Sequence, residues 1–514
     1  MRRHTPQPDA AAFLLTMVLP IASRWKTAAL LLLVAFALRM WDFGNPVIHV
    51  DEQFYLLVGD RILRGDLPYI DIWDRKPIGL FLLFAAIRML PGDGILAYQI
   101  VATLFATATA WVVDRGALRL GAARVGALAA AIAYLIWLSL LNGRGGQSPV
   151  FYNLFVATAA LLTLRLPALA EAGAQRAILS NGLIACLLGG FAIQMKYTPA
   201  IEGMYFGLAH LWFLRRAGAR PPVIAGAGLS WIGMGLLPTL LAIGGYAWIG
   251  PEALQAFWFA NVTSIALRPG YPIDQIAMRL LGIVAQLSPL IVAAGISWRW
   301  RRRIGLAGES AIIAWGWLGA ALIGFCAIGA YFDHYALPLI APLALVAAPA
   351  LGRSPRIMVG ALGLAILLFV IRLAMQPSNA EGARAVAAIV KANSGTECPW
   401  VAIGDTITYR LADTCLPTAY VFPNLLLYAT EQGAIGIDEA AEVRRIIATR
   451  PPVIVTSSRS LNIWNRASFS ATKSALRTDY RLVFSTPHDD YRTLVYLRRD
   501  LTFKRQPVSR EAPE

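Results

Sequence analysis

The chain has 514 residues, of which 57% are hydrophobic and 15% charged, with a formal net charge of +16. Water-soluble proteins average about 45–50% apolar and about 25% charged residues, so a string of soluble domains is excluded and a polytopic membrane protein is indicated. The Lys and Arg residues fall in short clusters between apolar runs, where cytoplasmic loops place them, so no nucleic-acid partner is expected.

In chain order, Arg2, Arg3, Arg24 and Lys26 place the N-terminus in the cytoplasm. A short apolar run from Ala11 to Ala22 is followed at once by basic residues with no small-residue cleavage site, and it reads as a retained start. Apolar runs at about 25–41, 97–113, 125–141, 150–166, 181–196, 199–214, 227–249, 278–297, 310–330, 336–351 and 357–375 are candidate spans. Only helices close their own backbone hydrogen bonds in hydrocarbon, and the alternation of a membrane barrel is missing.

The run Ile78 to Leu90 is shorter and would reach only about 20 Å against a hydrocarbon core of about 30 Å. Read as an interfacial or half-inserted helix, it leaves Arg115/Arg119/Arg124, Arg165/Arg176, Arg215/Arg216/Arg220, Arg299 to Arg303 and Arg353/Arg356 on the cytoplasmic side; read as a span, it would place all five clusters outside. The expectation is a polytopic α-helical protein of about eleven spans, in a range of about ten to thirteen, with its C-terminus outside. Residues 1–375 form the membrane part and 376–514 a soluble one.

In the soluble part, WVAIGD (400–405), PVIVTS (452–457), YRLVFS (480–485) and TLVYLR (493–498) read as strands and Ile437–Thr449 as a helix, giving a small α/β periplasmic domain. Lys504 to Glu514 reads as a frayed tail. Cys186 and Cys326 lie in apolar runs and read as buried small hydrophobes; Cys398 and Cys415 could form one disulfide in an oxidising compartment, and the sequence leaves that pairing open.

This topology gathers residues 42–96, Asn142–Pro149, Gly250–Ile276 and Tyr331–Tyr335 on the outer face as walls of one site. Gly143, Gly145 and Gly146 offer a permissive backbone for close approach to a ligand. The densest polar stretch is His49 to Pro77, with six carboxylates between residues 51 and 74, against eight from Pro77 to Met375. Asp51-Glu52 opens a helical pattern carried by Tyr55, Val58, Ile62 and Leu63, expected to lie along the interface; Gly65-Asp66-Leu67-Pro68-Tyr69 ends it, and Pro77 starts the half-inserted helix.

The order Asp51-Glu52, Tyr55, Gly65 to Tyr69 and Arg75-Lys76-Pro77, with Tyr331 to Tyr335 followed by Leu337-Pro338 and Pro342, resembles the polyprenyl-phosphate-dependent membrane glycosyltransferases of the GT-C class, specifically bacterial relatives of the protein O-mannosyltransferases and aminoarabinose transferases (glycosyltransferase family 39-like). The resemblance implies a GT-C-like fold with a large periplasmic first loop, in the bacterial inner membrane. It implies an inverting transferase that moves a sugar from a polyprenyl-phosphate donor to a periplasmic or cell-surface lipid, glycan or protein.

On that resemblance Asp51 is the general base or acceptor-orienting carboxylate, with Glu52 beside it as a second catalytic candidate, and Lys76 binds the donor phosphate. By location, Arg144, Lys196, Arg268 and His334 are further phosphate candidates, and Tyr55, Tyr69, Asp71 and Asp74 are substrate-binding candidates. Aminoarabinose-type members have a glutamate before the lysine, associated with metal binding; Arg75 stands there in this chain, so a divalent metal is not carried over, and no cofactor is expected. Where many relatives have an aspartate, Tyr152-Asn153 occurs, which bears on the acceptor side.

Each candidate has a plainer reading beside it. Asp51 and Glu52 could complement a helix dipole, Lys76 and Lys196 could snorkel, and Asp71 and Asp74 could solvate a loop. Trp73 could belong to an interfacial belt, Arg144 and Arg268 could bind lipid headgroups, and His334 could be an ordinary loop side chain. The rival functions are a transporter or flippase of lipid-linked sugars, which would place ionisable groups mid-span, and a non-catalytic glycan-binding relative.

Overall fold

The computed structural model describes residues 10–302, 308–327, 329–376, 379–459 and 463–504, with side chains from residue 25 onward. It opens with helices α1 (Ala10–Arg39), α2 (Val50–Leu63), α3 (Ile78–Arg88), α4 (Ile95–Arg119), α5 (Arg124–Leu140), α6 (Ser148–Thr163) and α7 (Leu166–Glu171). There follow α8 (Gln175–Ile193), α9 (Pro199–Arg216), α10 (Pro221–Ile249), α11 (Pro251–Trp258), α12 (Ser264–Ala266), α13 (Ile273–Trp300), α14 (Glu309–Cys326), α15 (Leu337–Arg353) and α16 (Pro355–Met375).

All eleven expected spans are helical, as α1, α4, α5, α6, α8, α9, α10, α13, α14, α15 and α16. Among the described residues, eight helical segments are long and apolar enough to cross a membrane, as befits a multi-pass membrane protein. Helix α5 is a shorter apolar helix, buried along most of its length beside α15, where alanine-rich faces let the backbones approach. Helix α3 has 11 residues, about 16 Å, too short to cross.

The C-terminal part adds α17 (Ala380–Ser394), α18 (Ile407–Ala412), α19 (Pro423–Leu427), α20 (Glu439–Ala448) and α21 (Arg466–Thr478) around strands β1 (Trp400–Val401), β2 (Val453–Ser457), β3 (Tyr480–His488) and β4 (Tyr491–Arg498). The sheet order is β1-β2-β4-β3, with β1 parallel to β2 and the others antiparallel. The β-branched run of β2 is buried from Val453 to Thr456, as a central strand requires. All four expected strands and the helix near 437–449 are present, although the first strand shrinks to two residues.

Cys398 and Cys415 form a disulfide. Cys186 is half-buried, and Cys326 is exposed on the α14 surface, against the expectation that both are buried. Arg2, Arg3, Arg303 and the tail from 505 onward lie outside the described residues.

The largest departure concerns α2. An interfacial helix would keep one polar face, yet every residue from Glu52 to Asp60 is buried. The C-terminal domain covers the side away from the helical bundle. Phe54 packs on Phe422 with ring centroids 5.1 Å apart, Gln53 Nε2 donates to Asp405 (3.0 Å), and Asp60 is held by Arg64, Arg88 and Arg410 at 2.8–2.9 Å. Helical periodicity cannot reveal a partner so distant in sequence.

Candidate active site

Each of the four expected walls contributes to one polar cluster around the first turn of α2. His49 caps that helix in an extended conformation (φ −152°, ψ 141°), and its Nδ1 accepts from the Asp51 amide at 3.3 Å. Gln147, from the turn before α6, lies 2.6 Å from the same nitrogen. With Nδ1 accepting both contacts, the ring carries its proton on Nε2 and is neutral; burial, first of all, holds His49 below its ordinary pKa.

Asp51 is thereby aimed into a partly open space, its side chain 17% exposed. Its Oδ2 lies 3.9 Å from His49 Nδ1 and 3.7 Å from His334 Nε2. The two imidazoles meet edge to face, with ring centroids 4.9 Å apart. Burial pushes the Asp51 carboxyl upward, but Lys76 first of all, with His49, His334 and Lys196 around it, outweighs that and holds the group well below the ordinary carboxylate range.

The two lysines are brought together by backbone packing. Leu80 donates to the Gln194 carbonyl at 2.9 Å, and a Cβ on Gly79 would stand 2.5 Å from Gln194 Cβ, so only glycine lets the start of α3 reach the turn that carries Lys196. Lys76 Nζ sits 5.4 Å from the Tyr55 ring centre and Lys196 Nζ 4.1 Å from that of Tyr335. Tyr69, in a left-handed conformation (φ 72°), donates from its hydroxyl to the Lys76 carbonyl at 2.8 Å and fixes the segment that presents it.

Burial would strip Lys76 of its proton, but Tyr55, Asp74 and Asp51 keep it charged. Lys196 has fewer such neighbours: burial, helped by Lys76, lowers it to about 7. Burial raises the Glu52 carboxyl to about 8, so at neutral pH it is mostly protonated.

Several candidates take other places. Glu52 is fully buried against the Gly145–Gly146 backbone, with the Gly146 amide, Arg39 and Tyr98 setting its field. It presents no exposed edge to the cluster. A Cβ at Gly145 would lie 1.8 Å from Glu52 Oε2, so the glycine turn admits this side chain rather than a ligand.

Arg144 pairs with Asp42 at 3.2 Å and lines a separate cavity of about 460 Å³ with Asn45, Val47, Ile48 and Arg372. Arg268 is tied to Glu431 of the C-terminal domain at 2.7 Å, at the edge of the cluster beside Tyr335. Asp71 is exposed and caps its own turn, accepting from the Leu67 amide at 2.8 Å. Asp74 accepts from the Arg75 amide at 2.5 Å while facing Lys76. Asn153 donates to the Leu337 carbonyl at 3.2 Å and braces the start of α15 behind His334.

Two contributors were not anticipated. Arg39, at the end of α1, is buried and donates to Thr103 Oγ1 (3.0 Å) and to the carbonyls of Gly143 (2.5 Å) and Gly145 (2.7 Å). An arginine closing an apolar run was the available signal, since a charge there is costly without a task. Glu431 binds Arg75 at 2.6 Å as well as Arg268, and no local pattern marks it. Among the described residues, no group of three or more His, Cys, Asp or Glu is placed to hold a metal ion.

No protein-family model and no curated protein matches this chain. Solved structures do. ArnT from Cupriavidus metallidurans bound to undecaprenyl phosphate is 13% identical, with a TM-score of 0.60 over 96% of this chain and 99% of that one. The same protein in its apo state is 14% identical, with a TM-score of 0.60 over 95% and 98%. The archaeal oligosaccharyltransferase AglB from Archaeoglobus fulgidus, in complex with an inhibitory peptide and a dolichol-phosphate, is 10% identical, with a TM-score of 0.53 over 90% and 80%. The chain therefore has a GT-C-like fold.

Proposed function

On this GT-C-like scaffold, we propose an inverting glycosyltransferase that moves a sugar from a polyprenyl-phosphate carrier onto an acceptor hydroxyl at the outer face of the bacterial inner membrane. One observation carries the reading: an ionised carboxylate, Asp51, and two converging lysines, Lys76 and Lys196, share one partly open polar site. The ArnT structure that this chain resembles is bound to undecaprenyl phosphate and the AglB structure is in complex with a dolichol-phosphate, which supports a lipid-phosphate donor here.

In this mechanism the acceptor hydroxyl donates to Asp51 and loses its proton there as its oxygen attacks the anomeric carbon. The bond from that carbon to the phosphate oxygen breaks, and the electron pair leaves on the phosphate, where Lys76 and Lys196 stabilise it with Tyr335 and Arg268 at the rim. Donor binding has a second effect. The phosphate offsets the same cations that depress Asp51, so the carboxylate becomes a stronger base once the donor is seated. Donor before acceptor is the expected order.

The test uses the purified full chain in lipid nanodiscs with radiolabelled undecaprenyl-phosphate sugars, alongside lipid analysis of a deletion strain. One polyprenyl-phosphate sugar should accumulate in the strain and be consumed by the wild-type protein. Full transfer by Asp51→Asn would sink the assignment. Reporters fused after Arg88 and after Arg124 should read opposite sides of the membrane, with the C-terminal domain periplasmic.

A further inference from the structure

A second cavity, of about 290 Å³, lies where the helical body meets the C-terminal domain, beside the polar cluster yet outside it. Tyr69 and Trp73 form one wall, Glu252, Gln255 and Phe259 the next, and Tyr420 of the C-terminal domain the third. Its volume stands near the lower end of the roughly 300–1,000 Å³ typical of ligand sites.

The lining has a particular chemistry. Four aromatic rings surround it, and no lysine or arginine is among its described lining residues, the nearby Arg75 lying over the Trp73 ring at 4.9 Å and binding Glu431, which disfavours a phosphate or an anionic headgroup. Trp73 is only 3% exposed, and among the described residues its indole N–H has no acceptor. The N–H itself is not fully buried, so it is open to donate to a molecule held in the cavity. Glu252 and Gln255 are exposed on α11, one turn apart, and their side chains have no partner among the described residues. Together they offer an acceptor-only carboxylate, an amide that both donates and accepts, and an indole donor.

A ligand that satisfies this set is neutral, carries hydroxyls around its rim and has an apolar face to lay on an aromatic ring. A pyranose or furanose has that form; an acyl chain would use none of the three polar groups. We propose that this cavity is a saccharide subsite for a glycan acceptor, holding a sugar unit remote from the one that reacts. The inference rests on the transferase reading and narrows its acceptor class. Tyr69 couples the two places, because its ring lines the cavity while its hydroxyl holds the Lys76 carbonyl at 2.8 Å.

The test is saturation-transfer NMR on the full chain in nanodiscs without donor, with maltotetraose, cellotetraose, mannotetraose and arabinotetraose as probes. At least one should bind saturably, and Glu252→Ala/Gln255→Ala should raise its Kd at least tenfold while Asp51→Asn leaves it unchanged. These two α11 side chains are exposed, so loss of folding does not confound the result. In the transfer assay the same double variant should raise KM for the acceptor at least tenfold at constant kcat and constant KM for the donor. If none of the four probes binds, if the double variant binds as tightly as wild type, or if only a polyprenyl phosphate competes, the subsite is wrong. Those results leave the transferase reading standing, whereas saccharide binding combined with full transfer by Asp51→Asn would overturn that reading and spare the site.

Discussion

The two sides of the first turn of α2 treat neighbouring carboxylates in opposite ways. On one side Asp51 meets two lysines and two imidazoles and stays partly accessible, so it is held ionised. On the other, Glu52 is fully buried, and its nearest cation, Arg39, is committed to Thr103 and to the carbonyls of Gly143 and Gly145, so burial prevails and the proton stays on. Burial alone therefore does not set the charge of a carboxyl; the cations left free to face it do.

The sharpest way to break this comparison is to neutralise each carboxyl in turn. Asp51→Asn should lower kcat about 10²- to 10⁴-fold, the range for a general base, with the fold retained. Glu52→Gln should retain most of the rate, since the native group is already uncharged at neutral pH. Equal losses from the two variants would erase the distinction between the two sides.

A smaller effect is expected from the turn that seats Glu52. Gly145→Ala puts a methyl group 1.8 Å from Glu52 Oε2, and overpacking of this kind costs about 1–3 kcal/mol. Thermal unfolding in nanodiscs should show the loss, and combining it with Glu52→Ala should recover part of it, because the two side chains compete for one space. Strict additivity would mean that the glycine serves a different purpose.

On the cation side, Lys196 is lowered to about 7, so its charge is lost as pH rises past neutrality. The kcat/KM for the donor, which reports the free enzyme, should fall above about pH 7. Lys196→Met should start lower and lose that basic limb. A wild-type profile flat to pH 9 would remove Lys196 from phosphate binding.

How much of this was legible beforehand depends on the range of the interaction. The spans follow from apolar length alone, and α3 was set apart by being short. The four walls were placed together by the positive-inside rule, which needs only short clusters of Arg and Lys. Asp51 and Lys76 came from an ordered motif within one loop. The fate of Arg144 and Arg268 was not legible, since each depends on a specific partner, Asp42 or Glu431, and spacing does not encode pairing across 100 residues or more. The C-terminal residues were read only as a small α/β domain, with no contact assigned to them, yet they cover α2 through Phe422 and Asp405 and reach the segment before Lys76 through Glu431.

The smallest effect is also the one that separates the two carboxyls most cleanly, because their contributions to stability lie in different pH windows. Glu52 has an ordinary value of 4.5 and a folded value of about 8, so between those limits the folded state holds a proton that the unfolded chain has released. Stability from this residue is complete below about pH 4.5 and falls as pH rises through 8. Asp51 is depressed below its ordinary 3.8, so its contribution is complete above that value and is lost only on acidification below it. Glu52→Gln should therefore flatten the fall in melting temperature between pH 5 and 8 and leave the acid side unchanged. Asp51→Asn should do the reverse, altering the acid side alone. A Glu52→Gln protein that keeps the wild-type slope between pH 5 and 8 would mean that Glu52 is ionised in the folded state, with Arg39 compensating it after all.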